Sequence, residues 1–202
     1  MARIMKKTMT LLLAVLLLSS GSSYACVGKT LMVGTTGSLQ QNLMAQMLSL
    51  LITERTGTTV KIVNFKSNEE AHQALLKADL DMYVEYTGVG QVKILGKAAI
   101  AEAPELYKAV KDVYNQELNL VWLKPFGFEE KKLAPDGTVA EAAPVVRKDT
   151  LKKFPALARL INKLGGKVDT ATIHKLEEQS AKGEEQQVKK VARDFLRQNR
   201  LI

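Results

Sequence analysis

The ten residues DMYVEYTGVG, Asp81 to Gly90, hold two tyrosines, two carboxylates and two glycines. Asp81 and Glu85 are four apart on an extended segment, so both point to one face, and paired carboxylates can perform general acid–base work. The plainer alternative is that they face solvent or cap neighbouring helices. Gly88-Val89-Gly90 lacks the third glycine of a dinucleotide fingerprint and is negligible as a nucleotide signal. What remains is a surface chemistry. Tyr86 offers an aromatic face with a hydroxyl, Thr87 a short hydroxyl, and Gly88 close backbone approach, with Tyr83 one strand-turn earlier.

The segments around this stretch alternate between two periodicities. KTLMVG reads as a first strand, TTVKIVNF as a second and LDMYV as a third. Between them, Ser38 precedes LQQNLMAQMLSLLITERTG, where Leu39, Leu43, Met47 and Leu51 recur at helical spacing. Ser38 with Gln41 forms a capping box and Gly57 a C-terminal stop, and Ser67 with Glu70 caps a second helix. His72 lies on that helix with no second His or Cys nearby and reads as a surface histidine. This βαβαβ order implies parallel strands with helices on both faces, an α/β fold of three layers.

A helix follows from about residue 98 to 117, then LNLVWLKPFGF as a strand. The next segment turns at Pro135-Asp136-Gly137 and re-enters as a short strand, Pro144–Arg147. The rest is helical. Asp149 caps one segment, Pro155 restarts it, Gly165-Gly166 ends it, and Asp169 opens the next. In an open α/β sheet, ligands bind outside the carboxyl ends of the strands. The stretch EYTGVG leaves the third strand at that edge, close to the first helix's N-terminus at Ser38–Gln41, which favours a carboxylate. An aromatic face beside an anion site suits a zwitterion bearing a quaternary ammonium.

Of the 202 residues 46% are hydrophobic and 25% charged, enough for one domain with a proper core. Residues 1–25 read as a signal peptide, a positive start followed by LLLAVLLL and small residues Ser23 and Ala25. Removing their three cations lowers the net charge from +8 to +5. The remaining Lys and Arg interleave with acids, as in KGEEQQVKKVARD, a solvated helix face rather than a nucleic-acid stripe. The single cysteine, Cys26, directly follows the candidate cut and has no internal disulfide partner. It is either the attachment point of a lipid anchor or a residue that ordinary cleavage leaves first. The chain carries no GxSxG, HExxH, Walker loop or His-Cys-Asp cluster, so no catalytic residue, metal site or cofactor is expected, and an enzyme is not.

ALLKADLDMYVEYTGVG resembles the signature of substrate-binding proteins of ABC importers for glycine betaine, choline and carnitine. TLMVGTTGSLQQNLMAQML, YNQELNLVWLKPFGF, APVVRKDTLKKFPALARLINKLGGKVDTATIHKLEEQ and VKKVARDFL extend the resemblance over most of the chain. It implies a type II periplasmic binding protein-like fold and a mostly parallel sheet with C-terminal helices. It also implies an exported, periplasmic protein, attached to the membrane only through a permease or a lipid on Cys26. Its partners would be ABC permease and ATPase subunits and a quaternary ammonium small molecule held by Tyr86, Thr87, Gln41, Tyr83 and Gly88. Such proteins are two-lobed, and here the second lobe is missing. Residues 26–202 should form a single lobe whose hinge strands, about 119–126 and 143–148, are joined by a short hairpin. The family's pocket pattern is also altered at Ser38, Leu39, Gln40, Lys66, Ser67, Asn68 and Val89. A second copy of the chain is a candidate for the missing wall. A degenerate interaction module that no longer binds solute tightly is the alternative.

Overall fold

The computed structural model describes residues 30–181 and 184–202, so the signal-peptide reading of residues 1–25 and the two readings of Cys26 lie outside the described residues. Five strands form one sheet in the order β2-β1-β3-β5-β4. They are β1 (Leu31–Thr35), β2 (Val60–Asn64), β3 (Met82–Tyr86), β4 (Leu120–Trp122) and β5 (Ala142–Arg147). β1 pairs in parallel with both β2 and β3, as the helical connections require, while β5 runs antiparallel to β3 and to β4.

The helices are α1 (Leu39–Thr56), α2 (Asn68–Leu76), α3 (Ala103–Glu117), α4 (Lys148–Lys153), α5 (Leu157–Ile161), α6 (Thr170–Gln179) and α7 (Glu185–Gln198). They cover both sheet faces, and each face has its own core. On one side Leu43, Met47 and Leu51 of α1 meet Ile161, Ile173, Val188 and Phe195 from α5, α6 and α7. On the other, Ala71 and Leu75 of α2 meet Leu106, Val110 and Tyr114 of α3, over Tyr83 and Trp122. α7 is held on α1 by the Arg193–Glu54 ion pair at 2.6 Å, with Arg55 donating to the Leu201 carbonyl nearby.

Local chemistry explains the helix ends. Ser38 Oγ accepts from Gln41 N, Ser67 Oγ from Glu70 N and Asp169 Oδ1 from Thr172 N. Both expected capping boxes form only in this half. Gln41 turns its carboxamide to Thr36, and Glu70 reaches the Lys66 N–H instead of that of Ser67. Gly57 ends α1 at φ +70°, a left-handed conformation suited to glycine. Two readings need correction. Asp149 is not a cap, since α4 starts directly after Arg147 and places Asp149 in its first turn, where it pairs with Arg147 and Lys152. His72 is not at the surface. It is 2% exposed, edge-on to Tyr83 and Tyr114 between α2 and α3.

The connection between β4 and β5 is a hairpin. Phe126 N donates to Ala142 O, Ala142 N to Phe128 O and Glu130 N to Ala140 O, and a bridge pairs Glu129 with Glu141. Its tip closes where Thr138 N donates to Pro135 O, with Gly137 at φ +73°, the turn expected at Pro135-Asp136-Gly137.

The close approach of β1 to β3 depends on Gly34. A Cβ there would lie 2.8 Å from Leu80 Cδ2 and 3.1 Å from Tyr83 Cβ. Gly34→Ala should therefore lower stability by about 1–3 kcal/mol through overpacking, read as a drop in the urea midpoint at unchanged slope.

Candidate functional site

β1 sends its connection, α1, to one face, whereas α2 reaches β3 from the other. The crevice beyond the carboxyl ends of β1 and β3 is therefore the switch point where an α/β sheet presents ligands. Gln41 in the first turn of α1, Asn68 at the start of α2, and Tyr86 at the end of β3 converge there. Beyond Tyr86 the chain makes a helical turn, Thr87–Val89, and a π-helical stretch, Gly90–Ile94.

The polar groups of this edge bond one another. Gln41 Oε1 accepts from the N–H and hydroxyl of Thr36, both at 2.9 Å. Its Nε2 donates to Asn68 Oδ1 at 2.8 Å, and Asn68 Nδ2 donates to Glu85 Oε1 at 2.6 Å. Glu85 also accepts from the Tyr83 hydroxyl at 2.6 Å and from Tyr86 N at 2.8 Å. With the Tyr83 proton committed to Glu85, the 3.1 Å contact from His72 must be an Nδ1–H donated to Tyr83 Oη. A line of side chains thus runs from the β1–α1 loop through the sheet to α2.

Glu85 is 0% exposed, and no cation pairs with it among the described residues. Burial raises its pKa, the three donors oppose that rise, and the result is about 7. Burial alone lowers His72 to about 4, so the imidazole is neutral at pH 7. Asp81 stands apart from Glu85. Its carboxylate accepts from Met32 N and the Thr150 hydroxyl, tying β1 to α4. The two acids therefore form no acid–base pair, and neither is a solvated surface carboxylate.

Tyr83 and Tyr86 are three residues apart on a strand and point to opposite faces. Tyr83 belongs to the core under α2 and α3, Tyr86 to the core under α1 and α7. The Tyr86 hydroxyl donates to Gln40 Oε1 at 2.8 Å, and Gln40 Nε2 donates to Glu130 Oε2 of the hairpin at 3.0 Å. The hairpin also covers the next two residues. Thr87 N donates to Glu141 O, Thr87 Oγ1 donates to Val139 O, and Glu141 N donates back to Thr87 Oγ1. A Cβ on Gly88 would fall 2.3 Å from Thr138 Oγ1 and 2.6 Å from Val139 O, so only glycine fits beneath the hairpin. Tyr83, Tyr86, Thr87, Gly88 and Gln41 are all buried, Gln41 at 3% exposure. A cavity of about 490 Å³ opens beside the Gln40–Glu130 bond, lined by Glu130, Lys132, His174 and Glu177.

Sequence reasoning brought Tyr86, Thr87, Gly88 and Gln41 to one edge. It noted Gln40 and Asn68 only as departures from the family's pocket pattern, without their bonding roles, and missed the hairpin residues Glu130, Thr138 and Val139. The tandem Gln40-Gln41 was the available signal, because consecutive carboxamides in a first helical turn reach different neighbours. Among the described residues no group of three His, Cys, Asp or Glu is placed to hold a metal ion.

A family model, the substrate binding domain of ABC-type glycine betaine transport systems, matches residues 29–134 and 130–198. The chain belongs to this family. Its members are substrate-binding proteins of transporters, not enzymes. The carnitine transport binding protein OpuCC of Listeria monocytogenes is 31% identical over 161 residues, 74% of this chain and 49% of that protein. The ergothioneine transport permease/ergothioneine binding protein EgtU of Helicobacter pylori is 31% identical over 101 residues, 50% of this chain and 18% of its own length. The chain thus spans about half the length, or less, of these relatives. The crystal structure of a glycine betaine/carnitine/choline ABC transporter protein superposes with TM-score 0.77 at 18% identity, over 86% of this chain and 98% of that one. Apo YehZ from Escherichia coli does so with TM-score 0.74 at 17% identity, over 87% and 100%. At such identity these two show the fold alone, a mixed α/β sheet with helices on both faces.

The buried Glu85 carboxylate has a measurable consequence. A carboxyl with a raised folded pKa binds its proton more tightly folded than unfolded, so its contribution is present at low pH and is lost as pH rises from 4.5 to about 7. Relative to the parent, Glu85→Gln should gain about 1–3 kcal/mol across that window in urea titrations at pH 4.5 and 8. Because His72 titrates in both proteins, it cancels in the difference.

Proposed function

We propose that this chain is an exported solute-binding component of an ABC importer for glycine betaine- or choline-type quaternary ammonium compounds, built on one lobe. The observation that carries the reading is the convergence of Tyr86, Thr87, Gly88 and Gln41 at the β1–β3 switch point of a chain in this family. Support for the ligand class comes from the relatives, one named for carnitine and one structure titled for glycine betaine, carnitine and choline. On this reading the Glu129–Glu141 hairpin stands where a second lobe would emerge. The two family matches meet at residues 130–134, inside that hairpin. Permease and ATPase subunits are the partners that such a component serves.

One observation favours a second reading, an interaction module that has lost tight binding: Tyr86, which would supply an aromatic face, is 1% exposed. Micromolar affinity needs about −8 kcal/mol, and a cation over one aromatic face supplies about 0.5–2 kcal/mol. A single lobe with this edge covered should bind weakly, with a Kd near 1 mM, about −4 kcal/mol.

Calorimetric titration of the chain lacking residues 1–25 with glycine betaine, choline and carnitine tests the first reading. Tyr86→Ala would confuse binding with folding, since truncating a buried tyrosine costs about 3–5 kcal/mol. Tyr86→Phe removes only the bond to Gln40, for about 0.5–1.5 kcal/mol. Saturable heat in the millimolar range that Tyr86→Phe alters supports the receptor. No heat up to about ten times that concentration, in a protein that still binds a permease, would leave the interaction module.

A further inference from the structure

We propose that the hairpin between β4 and β5 is a lid: its far half, residues 130–139, closes the switch-point edge by its own contacts and must lift for a solute to reach Tyr86, Thr87 and Gly88. This rests on the solute-binding reading and adds its regulation.

The hairpin engages the edge at each residue of the Tyr-Thr-Gly run. Glu130 holds Gln40, which holds the Tyr86 hydroxyl. Val139 O accepts a hydrogen bond from the Thr87 hydroxyl, and Thr138 with Val139 lies against the bare Cα of Gly88. These groups are what a small polar ligand at this edge would have to contact, so lid and ligand compete for them. Gly137 at the tip rests on Ala99, where a Cβ on Gly137 would be 3.4 Å from the Ala99 Cβ.

The closed lid is held lightly. Among the described residues no ladder bond beyond Glu130 N to Ala140 O joins its arms. The tip is closed by short-range bonds from Leu133 N to Glu130 O, from Ala134 N to Lys131 O, and from the Thr138 N–H and hydroxyl to Pro135 O. Only Ala134 and Val139 of the lid pack at the margins of the two cores. Leu133 on the lid is 39% exposed, one of two large hydrophobic side chains so open among the described residues. At the root, Glu129 and Glu141 face each other across the strands, and like charges in that position weaken pairing. Behind the root, the cavity of about 490 Å³ leaves the lid's first arm unsupported on the α6 side. β5 below Ala142 is locked to β3, so motion is confined to the tip.

The test is a reversible lock. Ala99→Cys with Gly137→Cys, in a Cys26→Ser background, brings two Cβ atoms to disulfide range. Gly137 has φ +73°, and the strain of a cysteine there is common to the reduced and oxidised forms, so it cancels between them. Choline and glycine betaine are titrated into both forms by calorimetry. The expected result is binding by the reduced protein and at least a roughly tenfold weaker Kd after oxidation. Equal affinity in the two forms overturns the lid and leaves the solute-binding reading standing. No binding by the parent overturns both. Binding by the parent but not by the reduced double variant leaves the solute-binding reading standing and puts the decision on the lid to hydrogen exchange. Hydrogen exchange of the parent supplies a ligand-free readout. The Leu133 and Thr138 amides should exchange at least about tenfold faster than those of β3, and protection equal to β3 overturns the lid.

Discussion

A carboxylate sealed inside a protein must be given donors or a cation, and Glu85 has three donors and no cation among the described residues. Much of the site's geometry follows from meeting that demand. Asn68 must stand at the start of α2 to reach Glu85, which fixes how α2 approaches β3. Asn68 then has its oxygen free for Gln41, and Gln41 in turn binds Thr36, so the β1–α1 loop is fixed relative to β3 as well. Leaving a buried charged group one donor short costs more than an ordinary hydrogen bond gains, so each member is retained by the penalty for its absence. Three elements from both sides of the sheet are thereby held at one switch point.

The second constraint is the reversal of β5. Had the chain returned parallel to β3, it would have needed a crossover of a dozen or more residues. Running antiparallel, it needs only a hairpin, and its hydrogen bonding with β3 continues past the strand, from Tyr86↔Ala142 to Thr87 N and Glu141 O. The same pairing that completes the sheet therefore draws residues 138–141 across the edge. The covering of Thr87 and Gly88 is a direct consequence of the topology, and Gly88 is the residue that lets the backbones come so close.

Much of this architecture was legible in the residue pattern. Ser38, Gly57, Ser67 and Asp169 act locally, through bonds to the backbone three or four positions away, and such signals survive without tertiary knowledge. β1 and β3 were found as short apolar runs because central strands are buried on both sides, whereas β2, an edge strand with no fully buried residue, was found from its β-branched composition alone. Apart from Asp149 and the half-formed capping boxes, which are local, the main failures were tertiary. His72 and Glu85 look like surface residues until both faces of the sheet are covered, at which point alternation ceases to distinguish inside from outside. Tyr83 and Tyr86 could have been separated from the sequence, since an odd spacing on a strand places them on opposite faces. The partners of Gln40 lie 46 and 90 positions away, and no local rule reaches that far.

On the proposed solute-binding reading, the energetics of the edge follow from the same contacts. In a site with two walls, a small zwitterion loses water on all sides and each polar contact acts in a low dielectric. With one wall, the same contacts are screened, and their sum must also exceed the cost of displacing whatever covers the wall. Here the cover is chain-tethered, so its local concentration is high and independent of solute. Its tether is short, its far end is pinned by few bonds, and like charges oppose each other at its root. A cover of that kind lowers affinity for every solute, but it withholds the edge most effectively from those that cannot replace the bonds made by Glu130 and Val139. On the proposed reading, selectivity then arises from the competition itself.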